Sequence, residues 1–94
     1  MTMDEIAAKM ARGLQKRPIE DSYKFDCGED GAITLRDGAV TLADEPADCT
    51  IHISRENLVK LMAGDLNPMT AFAFGKIKVS GDMSLALKLG KVLG

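Results

Sequence analysis

Between residues 32 and 43 the apolar side chains fall on every second position to either side of an Asp37-Gly38 pair: Ile33 and Leu35 before it, Val40 and Leu42 after it. Period two is the repeat of a strand half buried in a sheet. Asp-Gly supplies the two left-handed positions of a tight hairpin turn. The segment predicts two antiparallel strands, 32–36 and 39–43. An isolated hairpin is marginal in water, so the remaining chain must pair with its edges and cover its apolar face.

Strand partners are legible on both sides. Residues 22–27 alternate, with Tyr23, Phe25 and Cys27 in one phase and Ser22, Lys24 and Asp26 in the other. Gly28-Glu29-Asp30-Gly31 then turns the chain, which predicts a three-stranded meander with one wet face. Residues 48–53 predict a fourth strand, with Cys49, Ile51 and Ile53 on one face and Thr50 and His52 on the other. Residues 76–80 predict a fifth, with Ile77 and Val79 inward and Lys76, Lys78 and Ser80 outward. The helical stretch between these two strands is long enough for a right-handed crossover, so strands four and five are expected to run parallel.

The cover comes from four helical patterns. Ile6, Met10 and Leu14 recur at spacing four over residues 3–16, and Pro18 ends that run. Ser54 is a natural N-cap for a helix to Ala63 that buries Leu58, Leu61 and Met62, with Gly64 as its stop. Asn67-Pro68 starts a short helix over 68–73 carrying Met69 and Phe72, and Asp82 caps a last one over 83–93. The expected architecture is α+β. It has one domain over 1–94, built on a single five-stranded mixed, mainly antiparallel sheet with helices covering one face. A chain of 94 residues closes only a shallow core, so an internal cavity would take up much of it.

The last helix is more apolar than one contact requires. Met83, Ala86, Leu87 and Gly90 form one stripe, Leu85, Leu89, Val92 and Leu93 a second, and only Ser84, Lys88 and Lys91 are clearly polar. A single-layer contact needs an apolar arc of about 100°. Four occupants are open for the surplus: deep packing, a partner subunit, a membrane surface or a bound apolar ligand. The pattern does not separate them. Aromatic residues make up 4% of the chain and Trp is absent, while six Met supply soft, adaptable packing.

Several chemistries lack their residues. The net charge of −2 argues against nucleic acid. Lys9, Arg12, Lys16 and Arg17 read as the solvated face of the first helix. No run of about 18 apolar residues exists to span a bilayer, and the N-terminus lacks a signal-peptide layout. Cys27 and Cys49 are therefore expected to stay reduced and buried. His52 stands alone on a polar strand phase, and Cys49 points to the opposite face, so no Cys-His pair forms. Zinc spacing, glycine-rich phosphate loops and dinucleotide fingerprints are all missing. The expectation is a protein that is not an enzyme and uses no cofactor or metal.

Three stretches of the C-terminal half form an ordered motif: one starting at Ala47-Asp48-Cys49-Thr50-Ile51, one at Gly64-Asp65-Leu66-Asn67-Pro68-Met69-Thr70-Ala71-Phe72, and one through Gly75-Lys76-Ile77-Lys78-Val79-Ser80-Gly81-Asp82 and Leu85-Ala86-Leu87-Lys88-Leu89. With them the chain resembles the sterol carrier protein type 2 domain family, most strongly over the second. The resemblance implies helices and sheet enclosing an apolar tunnel that binds sterols, fatty acids, acyl-CoAs or phospholipids, and often moves them between membranes. It implies a tunnel lined by Leu58, Met62, Leu66, Met69, Phe72, Phe74, Ile77, Leu85 and Leu89, with Phe74 narrowing the space and favouring an acyl chain over a sterol. Transient membrane contact is implied, and a homodimer is open. The end Lys91-Val92-Leu93-Gly94 is not a peroxisomal Ser-Lys-Leu signal, which points to a stand-alone cytoplasmic member. The alternative is a non-catalytic interaction or dimerisation module using the same fold.

Overall fold

The computed structural model describes the backbone of residues 1–93 and the side chains of residues 1–89. Val92 and Leu93, and the flanking Gly90 and Lys91, assigned above to faces of the last helix, have side-chain placements outside that range. The chain runs through α1 (Met3–Lys16), β1 (Tyr23–Asp26), β2 (Ala32–Arg36), β3 (Ala39–Thr41), β4 (Cys49–Ile53), α2 (Arg55–Ala63), α3 (Pro68–Ala73), β5 (Ile77–Gly81) and α4 (Met83–Leu93). Local chemistry starts each helix. Thr2 and Glu5 close a reciprocal capping box on α1. Ser54 Oγ accepts from the Asn57 N–H at 3.1 Å, and Asn67 Oδ1 accepts from Met69 and Thr70. Asp82 Oδ1 takes both the Ser84 N–H and its hydroxyl. In the β2–β3 turn Asp37 and Gly38 both adopt positive φ, 52° and 77°, as a two-residue hairpin requires.

The sheet order is β3-β2-β1-β4-β5. It is a single five-stranded mixed sheet, mainly antiparallel, because only β1 and β4 run parallel. This corrects the expected parallel pairing of β4 with β5. Ile77, where β5 begins, lies opposite Ile53, where β4 ends. The two short helices between them thus leave and return at the same end of the sheet, and a strand re-entering there runs back antiparallel. The connection's length permits a crossover without requiring one.

Register sorts the side chains by face. Tyr23 sits between Leu35 and Cys49, Phe25 between Ile33 and Ile51, and Ile51 beside Val79. These form the floor on which Ile6, Leu14, Leu58, Leu61, Ala71 and Leu89 pack from the helices. The opposite face carries Lys24, Asp26, Thr50, His52, Lys78 and Ser80 but is not uniformly wet. β3 is an edge strand and β4 lies beyond β1, so the chain between them has to cross two strands. It crosses the polar face. Thr34 is fully buried beneath it, its hydroxyl donating to Ala43 O at 2.7 Å and accepting from the Glu45 N–H at 3.2 Å. Lys24 pairs with Asp44 at 2.6 Å beside it. Leu42 belongs to this crossing and not to the floor. It is 46% exposed because β3 stops at Thr41, which ends the alternation that was expected to turn it inward.

Gly81 joins β5 to α4 at φ 89°, where a Cβ would stand 2.5 Å from the Asp48 carbonyl oxygen. That close approach lets the Asp82 N–H donate to Asp48 O at 3.0 Å and turns α4 back over the sheet. The helix is then latched by two polar contacts. Tyr23 OH donates to Leu85 O at 3.0 Å, and Lys88 pairs with Asp21 at 2.9 Å.

Burial, reinforced by Asp21, pushes the Tyr23 phenol up to about 12, against about 10 in an unfolded chain. The folded state therefore holds this proton more tightly. Its contribution to stability is complete below about pH 10 and is lost as the pH rises from about 10 to about 12. Tyr23 is the single tyrosine and there is no Trp, so near-ultraviolet absorbance reads this group alone. Native protein should show tyrosinate appearing near pH 12, moving to about 10 in denaturant. Ionisation near 10 in both states would remove the latch.

Candidate ligand-binding site

Two apolar cavities lie between the sheet and its helices. The larger, about 350 Å³, sits between α1 and the floor, walled by Met10, Leu14, Phe25, Leu35, Leu58 and Met62. The smaller, about 230 Å³, sits between α3, α4 and the β4–β5 edge, walled by Ile51, Leu61, Phe72, Ile77 and Val79. Leu89 lines both and is only 3% exposed. Its side chain is the shared wall between them. The apolar space is thus a pair of cavities meeting at one leucine. Pockets for small molecules usually occupy about 300–1,000 Å³, so the two together are of ligand size.

Of the residues expected to line a tunnel, Leu58, Met62 and Leu89 wall the larger cavity, and Met69, Phe72, Ile77 and Leu89 the smaller. Leu66 and Leu85 are half-buried against the core and line neither. Phe74 lines neither and does not narrow the space. It is the C-cap of α3, where the helix stops and the side chain projects outward, 77% exposed.

The contribution of α1 is absent from the expected set. Met10, Leu14 and Ile19 wall the larger cavity, and Lys9, Lys16 and Arg17 stand on its rim. Among the described residues none of these three cations forms an ion pair. The clue was the seven-residue spacing of Lys9 and Lys16, which puts both on one side of the helix two turns apart. What periodicity cannot supply is that the cavity opens on that side. Lys9 stands at mid-helix, whereas Lys16 lies in the last turn of α1 and Arg17 caps it, where the helix dipole also favours positive charge.

On the other face three polar side chains meet across neighbouring strands. His52 Nδ1 lies 3.5 Å from Asp26 Oδ2, and His52 Nε2 makes a 3.0 Å hydrogen bond with Ser80 Oγ. The register that pairs Asp26 with His52 and the shared strand phase of Ser80 create this row. It lies on an open surface with the sheet between it and both cavities. Catalysis by such a row needs oriented donors for a developing oxyanion and a walled place for substrate, and neither apolar cavity includes any of the three residues. Cys49 faces the floor and is fully buried, and burial pushes the Cys27 thiol up to about 11. Both are free thiols in poor condition to act as nucleophiles. Among the described residues no group of three or more His, Cys, Asp or Glu is placed to hold a metal ion. No helix among them is long and apolar enough to cross a membrane.

Comparison with known proteins gives consistent matches. Residues 4–94 match the model of the SCP-2 sterol transfer family. Sterol carrier protein 2 of Bos taurus is 51% identical over 47 residues, which cover 50% of this chain and 9% of that protein. The hydroxysteroid dehydrogenase-like protein 2 of Bos taurus is 38% identical over 79 residues, covering 76% of this chain and 19% of that protein. The chain therefore spans about a tenth to a fifth of these curated relatives. Among solved structures, the sterol carrier protein domain 2 of Helicoverpa armigera superposes with a TM-score of 0.77 at 30% identity, covering 95% of this chain and 83% of that one. Sterol Carrier Protein-2 of Aedes aegypti, in complex with palmitate, superposes at 0.79 with 23% identity over 100% of this chain and 97% of that one.

Leu89→Ala removes the shared wall. The expected cost is about 2–4 kcal/mol, from lost transfer energy plus a residual cavity, measured by urea unfolding of ligand-free protein. A loss under about 1 kcal/mol would mean that Leu89 is not packed between the two spaces.

Proposed function

The chain belongs to the SCP-2 sterol transfer family, and from that premise we propose that it binds a lipid by its acyl chain, without catalysis, and carries it between membranes. The observation that carries this reading is the pair of apolar cavities meeting at Leu89, the larger of them rimmed by three cations that form no ion pair among the described residues. The palmitate held by the Aedes aegypti protein of the same fold supports it. Leu58, Met62, Met69, Phe72, Ile77 and Leu89 are the proposed lining, joined by Met10 and Leu14 from α1.

The shape favours a flexible chain over a rigid ring system. A sterol needs one continuous slot, whereas an acyl chain bends past a side chain such as Leu89. Each buried methylene contributes about 0.8 kcal/mol. A chain of about fourteen carbons therefore offers roughly 11 kcal/mol before association costs of about 4–15 kcal/mol. Apolar walls discriminate weakly between neighbouring chain lengths, so the head group carries the selectivity. Lys9, Lys16 and Arg17 at the rim suit an anionic head, with the tail running inward from it. The two buried free thiols fit a reducing compartment, and a cytoplasmic setting is part of the proposal.

The test is native mass spectrometry of protein purified from cells, followed by displacement of a fluorescent fatty acid. Acyl lipid should co-purify. Met62→Glu in the larger cavity and Phe72→Asp in the smaller should each weaken the fluorescent ligand at least about tenfold, because each sets a charge against an apolar wall. Met62 is half-buried and Phe72 is exposed at its outer side, so the fold tolerates the change. Charge reversal of Lys9, Lys16 and Arg17 should weaken fatty acid binding and leave a neutral alcohol of the same chain length unaffected. Lipid-free protein whose ligand affinity ignores both cavity substitutions would sink the carrier reading.

A further inference from the structure

Among the described residues Leu89 is the only one that the two apolar cavities have in common. Its place is fixed from both sides. Tyr23 OH donates to Leu85 O, one turn earlier on α4, and the adjoining Lys88 is tied to Asp21. The side chain itself is packed in the core. A third space reaches Leu89, about 170 Å³ between the α1–β1 loop and α4, but Glu20, Tyr23 and Lys88 wall it. A methylene tail entering there would strip water from charged groups and return no hydrogen bond. The apolar continuation of the larger cavity is therefore the smaller one, and Leu89 stands at the junction.

Measuring a chain needs an origin and a stop. Lys9, Lys16 and Arg17 rim the larger cavity and not the smaller, so an anionic head held by them fixes where the tail begins. Leu89 is the stop. A cavity of about 150 Å³ takes one benzene ring. On that scale the larger cavity, about 350 Å³, holds about fourteen carbons, and the smaller, about 230 Å³, holds about nine. Apolar walls alone discriminate weakly between neighbouring chain lengths. A stop at a set depth adds one step, at the length that reaches it.

The structure assigns to Leu89 the selection of acyl-chain length: a tail of up to about fourteen carbons lies in the larger cavity alone, and a longer one has to turn Leu89 aside to enter the smaller. This rests on the lipid-carrier reading and adds the residue that sets which tails are held. Up to the stop, each further methylene strengthens binding about fourfold. The next few carbons press on a closely packed side chain, and the strain offsets what their burial gains. Affinity climbs again once the tail is inside the smaller cavity. The length profile is thus a rise, a plateau and a second rise.

The experiment is isothermal titration calorimetry of the ligand-free full chain with saturated fatty acids from about eight to about eighteen carbons, each kept below its micelle concentration. Wild-type protein should show the plateau beginning near fourteen carbons. Leu89→Ala should abolish it, raising the ratio of eighteen-carbon to twelve-carbon affinity by at least about tenfold. Leu89→Met keeps the side-chain volume, and so the fold, but replaces a branched stop with a flexible one. It should shorten the plateau, and it decides the matter if Leu89→Ala does not fold. Phe72→Asp, in the smaller cavity, should weaken the eighteen-carbon acid at least about tenfold more than the ten-carbon acid, whereas Met62→Glu should weaken both alike. An even rise across the wild-type series would overturn the assignment, as would a plateau that neither Leu89 variant moves. The acids still bind in both of those cases, so the carrier reading survives them. Failure of every acid to bind would remove that reading and this one together.

Discussion

Side-chain parity across the central strand is the constraint on which the rest of the molecule depends. Tyr23 and Phe25 face the helices together with Leu35 and Ile33 on one neighbour and Cys49 and Ile51 on the other. The same parity continues through Val79 and Ile77 to the sheet edge. A slip of one residue in any pairing would send an apolar set to solvent and drive Lys24, Asp26 or His52 under the helices. Burying an unpaired charge costs far more than exposing a methyl group. Both faces therefore hold the register, one by what it must bury and the other by what it cannot.

The two faces then do different work. The polar face carries the crossing from β3 to β4, because the helical side is occupied and Thr34 offers that crossing both a donor and an acceptor. The helical face is left underfilled. With no Trp and only four aromatic residues, the side chains of four modest helices do not reach the floor everywhere. A sealed void of 350 Å³ would cost about 8 kcal/mol at about 24 cal/mol per Å³. That is comparable to the whole stability of a small domain, about 5–15 kcal/mol. A space of this size persists only where it opens at a rim or accepts an apolar occupant. The cavity is more economically explained as a site than as a packing fault.

What the sequence disclosed, and what it withheld, divides along the range of the interactions. Asp37-Gly38, Ser54, Asn67-Pro68 and Asp82 all act within a few residues of themselves, and each marks the boundary the structure shows. The apolar phases of the strands were equally local and, Leu42 apart, equally readable. The direction of β5 was not, since it depends on where two short helices return the chain. Nor was the burial of Thr34, which follows from a crossing that only the strand order imposes. For the site, residues from α2, α3, β5 and α4 were identifiable from the family motif, while the wall supplied by α1 and its cationic rim lay outside that motif. Phe74 shows the limit most clearly. Its neighbours Phe72 and Ile77 wall the smaller cavity, yet two residues beyond Phe72 the helix has ended and the ring of Phe74 lies outside the cavity.

α4 is where packing, cavity and surface meet. Its surplus of apolar arc left four possible occupants open in the sequence, and the fold divides the arc between the core and an exposed surface. Leu89 and Ala86 turn toward the floor, with Leu89 dividing the apolar space, while Met83 and Leu87 look outward over the mouth of the smaller cavity. The helix is positioned by polar contacts at its near end: the Asp82 cap, the Tyr23 hydroxyl on Leu85 O, and Lys88 on Asp21. Hydrogen bonds are directional, whereas apolar contacts slide. A helix held only by its greasy face would settle into the space beneath it and close the cavity at a gain in free energy. Polar attachment at fixed points keeps α4 at its height whether or not anything lies below, and so keeps the apolar space open for an occupant.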